Sequence, residues 1–229
     1  MVTGIAGYYA LSLPIWRIQE VAVDGTKMLS ADEVRAVCGI PLSENLFLSS
    51  FSRASDNLKK ISAVKNFRLY RIPPAAVLIK IVERKPIAVV VLEGESAVVD
   101  DDGFILNRNP NLTLNIPNMT DLPVISGVGT EEVISGERLT PKASRIVAGI
   151  ILKLSNLVGS RRIKLEMGSF ENISLLLDDI LRLKLGREEE LERKMQVFGK
   201  LLSAIAGKWD QVEYVDVRYP DNPVIKFKS

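Results

Sequence analysis

The sequence of 229 residues contains no histidine. That removes the commonest general base, the commonest transition-metal side-chain ligand and a regular member of hydrolytic triads. It contains one cysteine, Cys38, so neither an intramolecular disulfide nor a thiolate metal cluster can form. Cys38 lies beside Val34 and Val37 on an apolar helical face, which reads as a buried structural thiol rather than a reactive one. An excess of one charge is missing too. Lys and Arg number 30 and Asp and Glu 28, a net charge of +2 with the signs interspersed. Nucleic-acid binders usually carry a strongly basic face, so no nucleic-acid partner is expected. No phosphate loop or nucleophile elbow is visible, and neither enzymatic activity nor a cofactor is expected.

Long apolar runs are also scarce. Met1 to Trp16 carries no charge, but a membrane span needs ~20 apolar residues and a signal peptide a cationic start. Three readings fit: the C-terminal part of a transmembrane helix that closes at Pro14, an unusual export signal, or an apolar arm packed on the domain.

What is present reads as two α+β units. Arg17 to Asp24 alternates as a half-buried strand, with a turn at Asp24-Gly25. Ser30, with Glu33 three positions on, predicts a capping box and a helix that stops at Gly39. A second helix fits Ser49 to Ile61. Strands fit Val64 to Arg71 and Val77 to Glu83, joined by Pro73-Pro74. The order is β-α-α-β-β, as expected for helices on one side of a three-stranded sheet.

Further on, Pro86 to Leu92, Ala97 to Val99, Phe104 to Leu106 and Leu122 to Ser126 read as strands, with a loop over Asn107 to Asn118. Asp100-Asp101-Asp102-Gly103 lacks the spaced oxygen ligands and distal glutamate of a calcium loop and reads as a solvated hairpin turn. Gly127-Val128-Gly129 lacks the context of a nucleotide fingerprint. Thr140-Pro141 predicts a helix start. Three strands follow around Arg161–Met167, Ile173–Leu177 and Ile180–Leu185, with Asp178-Asp179 as a turn. Arg187 to Ala206 has a one-face apolar stripe, with Glu188-Glu189-Glu190 in its first turn. The chain closes on two strands, Val212 to Tyr219 and Val224 to Lys228, around a turn at Pro220–Pro223. A terminal strand at a sheet edge leaves a row of backbone groups able to accept a strand from another protein.

Six segments stand in order along the chain: Val23-Asp24-Gly25, Val82-Glu83-Arg84-Lys85-Pro86-Ile87-Ala88, Val99-Asp100-Asp101-Asp102-Gly103, Leu122-Pro123-Val124-Ile125-Ser126-Gly127, Leu183-Lys184-Leu185-Gly186-Arg187 and Tyr214-Val215-Asp216-Val217-Arg218-Tyr219. Together they resemble the FtsQ/DivIB family of bacterial cell-division proteins. The resemblance implies a POTRA domain over 17–84 and a β domain, a mixed sheet with two main helices, over 85–229. It implies a truncated transmembrane helix or apolar arm over 1–16, and a single-pass protein of the cytoplasmic membrane with both domains outside the cytoplasm. It implies a non-enzymatic scaffold that binds FtsB/DivIC-like and FtsL-like partners by strand addition, meets other divisome proteins through POTRA, and coordinates septal wall synthesis.

By position the resemblance makes Arg187, Arg218, Tyr219 and Phe227 the partner-binding residues, the arginines meeting partner carboxylates and the aromatics anchoring the contact. From the residues alone a plainer reading stays open beside this one, in which Arg218 simply pairs with Asp216 and Tyr219 belongs to the core face with Val215 and Val217. The alternative function is a POTRA-bearing chaperone or transport component of outer-membrane assembly. The prolines at 220 and 223 leave the start and register of the last strand open.

Overall fold

The structure, a computed structural model, describes residues 2–108, 112–159 and 161–228. It divides into two units. The first holds the described residues up to Arg84 together with Leu112–Pro117; the second holds Lys85–Arg108 and the described residues from Asn118 on.

The first unit runs α1 (Val2–Leu11), β1 (Glu20–Asp24), α2 (Ala31–Cys38), α3 (Ser52–Lys59), β2 (Val64–Ile72) and β3 (Ala76–Glu83). β3 is central, parallel to β1 and antiparallel to β2. The expected β-α-α-β-β order is therefore present. Val21, Val77, Ile79 and Ile81 of the sheet are buried, as are Val34, Cys38, Ala54 and Leu58 of the helices, each large side chain worth about 1.5–3 kcal/mol of transfer free energy. Gly25 sits at φ +90, and a Cβ there would lie 2.1 Å from the Ile81 carbonyl oxygen, so the turn after β1 requires glycine.

Three expectations change here. The first strand starts at Glu20, because the residues before it pair with a loop instead: Leu46 N–H donates to Trp16 O (2.7 Å) and Ile18 N–H to Glu44 O (2.8 Å). The helix expected from Ser49 starts at Ser52 and stops at Lys59. The capping box does not form. Ser30 makes no side-chain cap bond, and the Glu33 carboxylate receives the Thr113 N–H at 3.4 Å. Glu83 does more than its motif indicated. Its carboxylate accepts the N–H groups of Lys27 (2.9 Å), Met28 (2.9 Å) and Leu29 (2.9 Å), which fixes the loop between β1 and α2.

The first helix ends at Leu11, three residues before Pro14. Ten residues at 1.5 Å rise span about 15 Å, half of a ~30 Å hydrocarbon core. Among the described residues no helix is long and apolar enough to cross a membrane.

The second unit continues with β4 (Pro86–Leu92), β5 (Glu95–Asp100), β6 (Val124–Ser126), a small hairpin of β7 (Val133–Ile134) and β8 (Arg138–Leu139), α4 (Pro141–Val158), β9 (Ile163–Glu166), β10 (Ile173–Leu177), β11 (Leu181–Gly186), α5 (Leu191–Ala204), β12 (Val212–Asp216) and β13 (Val224–Phe227). Eight of these strands form one mixed sheet in the order β13-β12-β11-β10-β9-β6-β4-β5. Its inward side chains, among them Ile125, Leu165, Leu175, Leu183 and Val215, form one core with the stripes of α4 (Ile146, Val147, Ile150, Leu154) and α5 (Met195, Phe198). Thr140 caps α4 as expected, its Oγ1 accepting the Ala143 N–H at 3.2 Å.

Phe104 to Leu106 is not a strand but makes isolated bridges, Val99 with Ile105 and Phe104 with Arg138. Asp100 is buried in its turn, and its Oδ1 accepts the N–H groups of Asp102 (3.1 Å) and Phe104 (2.7 Å). The turn is present as expected, but Asp100 is buried in it rather than solvated. Asp178 and Asp179 both take positive φ and with Ile180 form the three-residue connection between β10 and β11. α5 begins at Leu191 instead of Arg187, because Glu190 sits at φ 53. The three glutamates therefore precede the helix.

Candidate partner-docking edge and cleft

β13 is the last strand of the eight-stranded sheet, and among the described residues it pairs only with β12. The register is Val215 to Ile225 and Asp216 to Val224, with a bulge between Val212 and Tyr214. Two bonds define which groups face outward. Lys228 N–H donates to Gln211 O at 2.8 Å, and Val217 N–H to Lys184 O at 3.0 Å. Alternation from each turns the backbone of Val224 and Lys226 toward β12 and that of Ile225 and Phe227 away from the sheet. Pro223 precedes β13 and does not disturb this register.

β12 stops at Asp216, earlier than expected, so Arg218 and Tyr219 lie in the turn rather than on the strand. Val215 and Val217 are buried, but Tyr219 is 73 % exposed. The core placement of Tyr219 is thus corrected: strand alternation ends before reaching it. The Arg218–Asp216 pairing is present. Arg218 Nε donates to Asp216 Oδ1 (3.0 Å) and Nη2 to Oδ2 (2.7 Å), and its backbone N–H donates to Oδ1 (3.0 Å). Burial pushes the Asp216 carboxyl up, but the hydrogen bonds from Arg218 and the charges of Arg218 and Lys184 outweigh it and hold the group below its ordinary value. This side-on pairing leaves the Nη1–Nη2 end of the guanidinium pointing outward as a second fork.

Arg187, Arg218 and Tyr219 line one cleft of about 540 Å³ with Lys194, Gly186, Glu171 and Glu189. Gly186 holds φ +67, and a Cβ there would meet Arg218 Cγ at 2.9 Å. Lys194 is only 4 % exposed, and its Nζ donates to the Arg187 carbonyl at 2.8 Å. Burial pushes its ammonium below lysine's ordinary value, opposed by the charges of Glu189 and Glu190. Sequence reasoning missed Lys194. The signal was a lysine three residues after Leu191 and four before Phe198, on the stripe that faces the core. Phe227 is not part of the cleft. It pairs with Val212, three residues along β13 from Val224 and so about 10 Å away, and is half exposed.

The opposite edge of the sheet is closed by the chain itself. Along β5, Leu106 N–H donates to Val98 O (2.8 Å), Asp100 N–H to Phe104 O (3.1 Å), and the Asn107 side chain accepts from Val98 N–H (3.0 Å) and donates to Ser96 O (3.0 Å).

Comparison with known proteins bears on this arrangement. Residues 16–84 match the family described as POTRA domain, FtsQ-type, and residues 88–218 match the family described as cell division protein FtsQ/DivIB, C-terminal. The chain is 24 % identical over 235 residues to a Cell division protein FtsQ of Streptomyces bingchenggensis, covering 98 % of this chain and 84 % of that protein. It is 27 % identical over 228 residues to one of Chloroflexus aggregans, covering 97 % and 78 %, and 21 % identical over 225 residues to a Cell division protein DivIB of Clostridium acetobutylicum, covering 96 % and 86 %. An α+β chain whose first unit matches the FtsQ-type POTRA domain and whose mixed sheet overlaps the C-terminal match from β4 through β12, with β13 lying beyond the matched residues, belongs to the FtsQ/DivIB family of cell-division proteins.

Proposed function

We propose that the chain is a non-enzymatic divisome scaffold that receives an extended segment of an FtsB/DivIC-like partner, with FtsL-like partners in the same assembly, on the outer edge of β13. The observation that carries this reading is the contrast between the two ends of one sheet. The β13 edge is unpaired among the described residues, whereas β5 is covered by residues 104–107. Strand addition supplies main-chain hydrogen bonds, and side-chain sites beside the edge supply specificity. Arg187 and the outer fork of Arg218 offer donors to a partner carboxylate. Tyr219 presents its ring at the cleft mouth, and Phe227 offers a second apolar anchor at the far end of the strand. The POTRA unit meets other divisome proteins, and the assembly coordinates septal wall synthesis. Helix α1 anchors the protein in the cytoplasmic membrane, with both units outside the cytoplasm.

The test is a pull-down of the chain by an immobilised FtsB- or DivIC-like peptide. Wild-type chain is retained, and a Tyr219→Ala, Arg218→Glu variant is lost from the resin. Equal retention of the two removes the assigned site.

A further inference from the structure

Helix α1 is tied to the first unit by more than the connecting chain. A helix leaves its last carbonyls without intrahelical donors. Here the Tyr8 carbonyl takes both the N–H (2.9 Å) and the hydroxyl (2.7 Å) of Ser12, while the Ala10 carbonyl accepts Trp16 Nε1–H (2.7 Å) and the Leu11 carbonyl accepts the Asn45 side-chain amide (2.7 Å). The last two donors are themselves held by the folded unit. The Trp16 ring meets Phe47 edge-on at 5.2 Å, and the Asn45 side-chain oxygen accepts the N–H groups of Phe47 (2.9 Å) and Leu48 (3.0 Å). One amide thus bridges the end of the helix to Leu48. Around this collar Leu11, Leu13, Ile15 and Leu48 are all exposed.

We infer that the collar is a membrane-seating surface. Leu13, Ile15 and Leu48 enter the apolar side of a lipid interface, Trp16 lies at the headgroup level, and the first unit stands on the bilayer at a fixed angle to α1. The inference rests on the reading of α1 as a membrane anchor and adds a second, lipid-facing element from the folded unit. Three observations favour lipid as the occupant. The patch is continuous with a helix that carries no charge. A tryptophan whose N–H is satisfied and whose ring is packed sits at the apolar–polar border, where such rings collect in membrane proteins. Arg17, exposed, follows directly, as suits anionic headgroups.

The test uses the full chain with vesicles of mixed phosphatidylcholine and phosphatidylglycerol. Leu48→Cys carries an environment-sensitive maleimide dye. Val82→Cys carries the same dye as a control, six residues along β3 from the partner of Glu20, or roughly 20 Å away. Cys38 needs no replacement: it is buried, and its thiol is pushed up to about 11 by that burial, so it stays protonated and unreactive at neutral pH. Flotation of the chain with the vesicles reports on α1. On floated chain the dye at 48 brightens several-fold and shifts to the blue, and the dye at 82 does not change. Two unchanged dyes on floated chain overturn the seating surface and leave the anchor standing; absence of flotation overturns both. Replacing Asn45 with Ala, which removes the bridge from Leu11 to Leu48 and no lipid-facing side chain, leaves flotation intact and returns the signal at 48 toward that at 82. A signal that stays high in this variant overturns the fixed collar.

Discussion

Replacing Ile225 with proline probes the open edge directly. The Ile225 N–H points away from β12, so proline removes no ladder bond of the native sheet, and edge strands are where sheets tolerate proline. Val224, ahead of it, is already extended, as a residue before proline prefers. What the variant removes is one of the two outward donors offered to an incoming strand. A partner carbonyl left facing the ring without a donor costs about 1–3 kcal/mol, which is roughly a 5- to 150-fold rise in Kd. Ile225 also packs against the core of the second unit, so the control is Ile225→Ala, which loses that packing but keeps the N–H. Calorimetric titration with an FtsB- or DivIC-like peptide measures both, and a thermal melt confirms that both are folded. The expected result is near-native affinity for the alanine variant and the stated loss for proline. Equal Kd values for the two variants would refute the orientation of the edge, the strand-addition mode, or both; an amide exchange experiment separates them, because Ile225 and Phe227 N–H groups exchange rapidly in the free protein if they face solvent.

Three further outcomes follow from named contacts. Gly186→Ala places a Cβ 2.9 Å from Arg218 Cγ at φ +67; it lowers stability by about 1–3 kcal/mol and shifts Arg218, so peptide affinity falls in calorimetry even where the melt shows folded protein. Glu83→Ala removes the acceptor for three backbone N–H groups; exchange of the Lys27, Met28 and Leu29 amides accelerates about 30-fold, for a loss of about 2 kcal/mol, and Glu83→Gln shows a smaller change. The Cys38 thiol rises from 9.0 to about 11 on folding, so the native state holds this proton more tightly than the unfolded chain. Stability is therefore full below pH 9 and declines as pH rises toward 11, by about 2–3 kcal/mol in total. Denaturant titrations across that range show the decline, and Cys38→Ala flattens it.

The readable parts of the sequence were those fixed by local chemistry. Thr140-Pro141 announced α4 because a threonine cap and a proline at the first helical position need no tertiary information. The β-α-α-β-β order followed from alternation and punctuating glycines. Element ends were less legible, because distant partners decide them. Val217 N–H continues the ladder to β11 by donating to the Lys184 carbonyl, but β12 ends at Asp216, so Tyr219 lies in the turn beyond it and is exposed. Glu190 adopts φ 53, which moves three acidic residues off the helix they were assigned to. Glu33 turns to Thr113 across 80 residues of chain, a pairing no local capping rule contains. At the site, three of the four residues indicated by family resemblance converge on one cleft. The fourth, Phe227, lies along the edge instead. Lys194 was visible as a cation on an apolar stripe, but its acceptor, a backbone carbonyl seven residues earlier, was not.

The shortness of β13 bears on how a partner is chosen. Four residues pair with β12, and only Ile225 and Phe227 face outward, so an added strand gains about four main-chain hydrogen bonds. At roughly 0.5–1.5 kcal/mol each these sum to about 2–6 kcal/mol, comparable to the lower range of the ~4–15 kcal/mol lost on association. The edge alone therefore cannot hold a partner tightly, and Lys226, paired with Glu213 at 2.8 Å, further discourages casual pairing along it. Affinity and choice must then come from the two ends. On the proposed strand addition, a carboxylate beyond the Val224 end reaches Arg187 and the outer fork of Arg218, and an apolar side chain about 10 Å away covers Phe227. On the same reading, a segment with only one of these features adds a strand without staying, so an exposed sheet edge stays safe while a segment with both binds it.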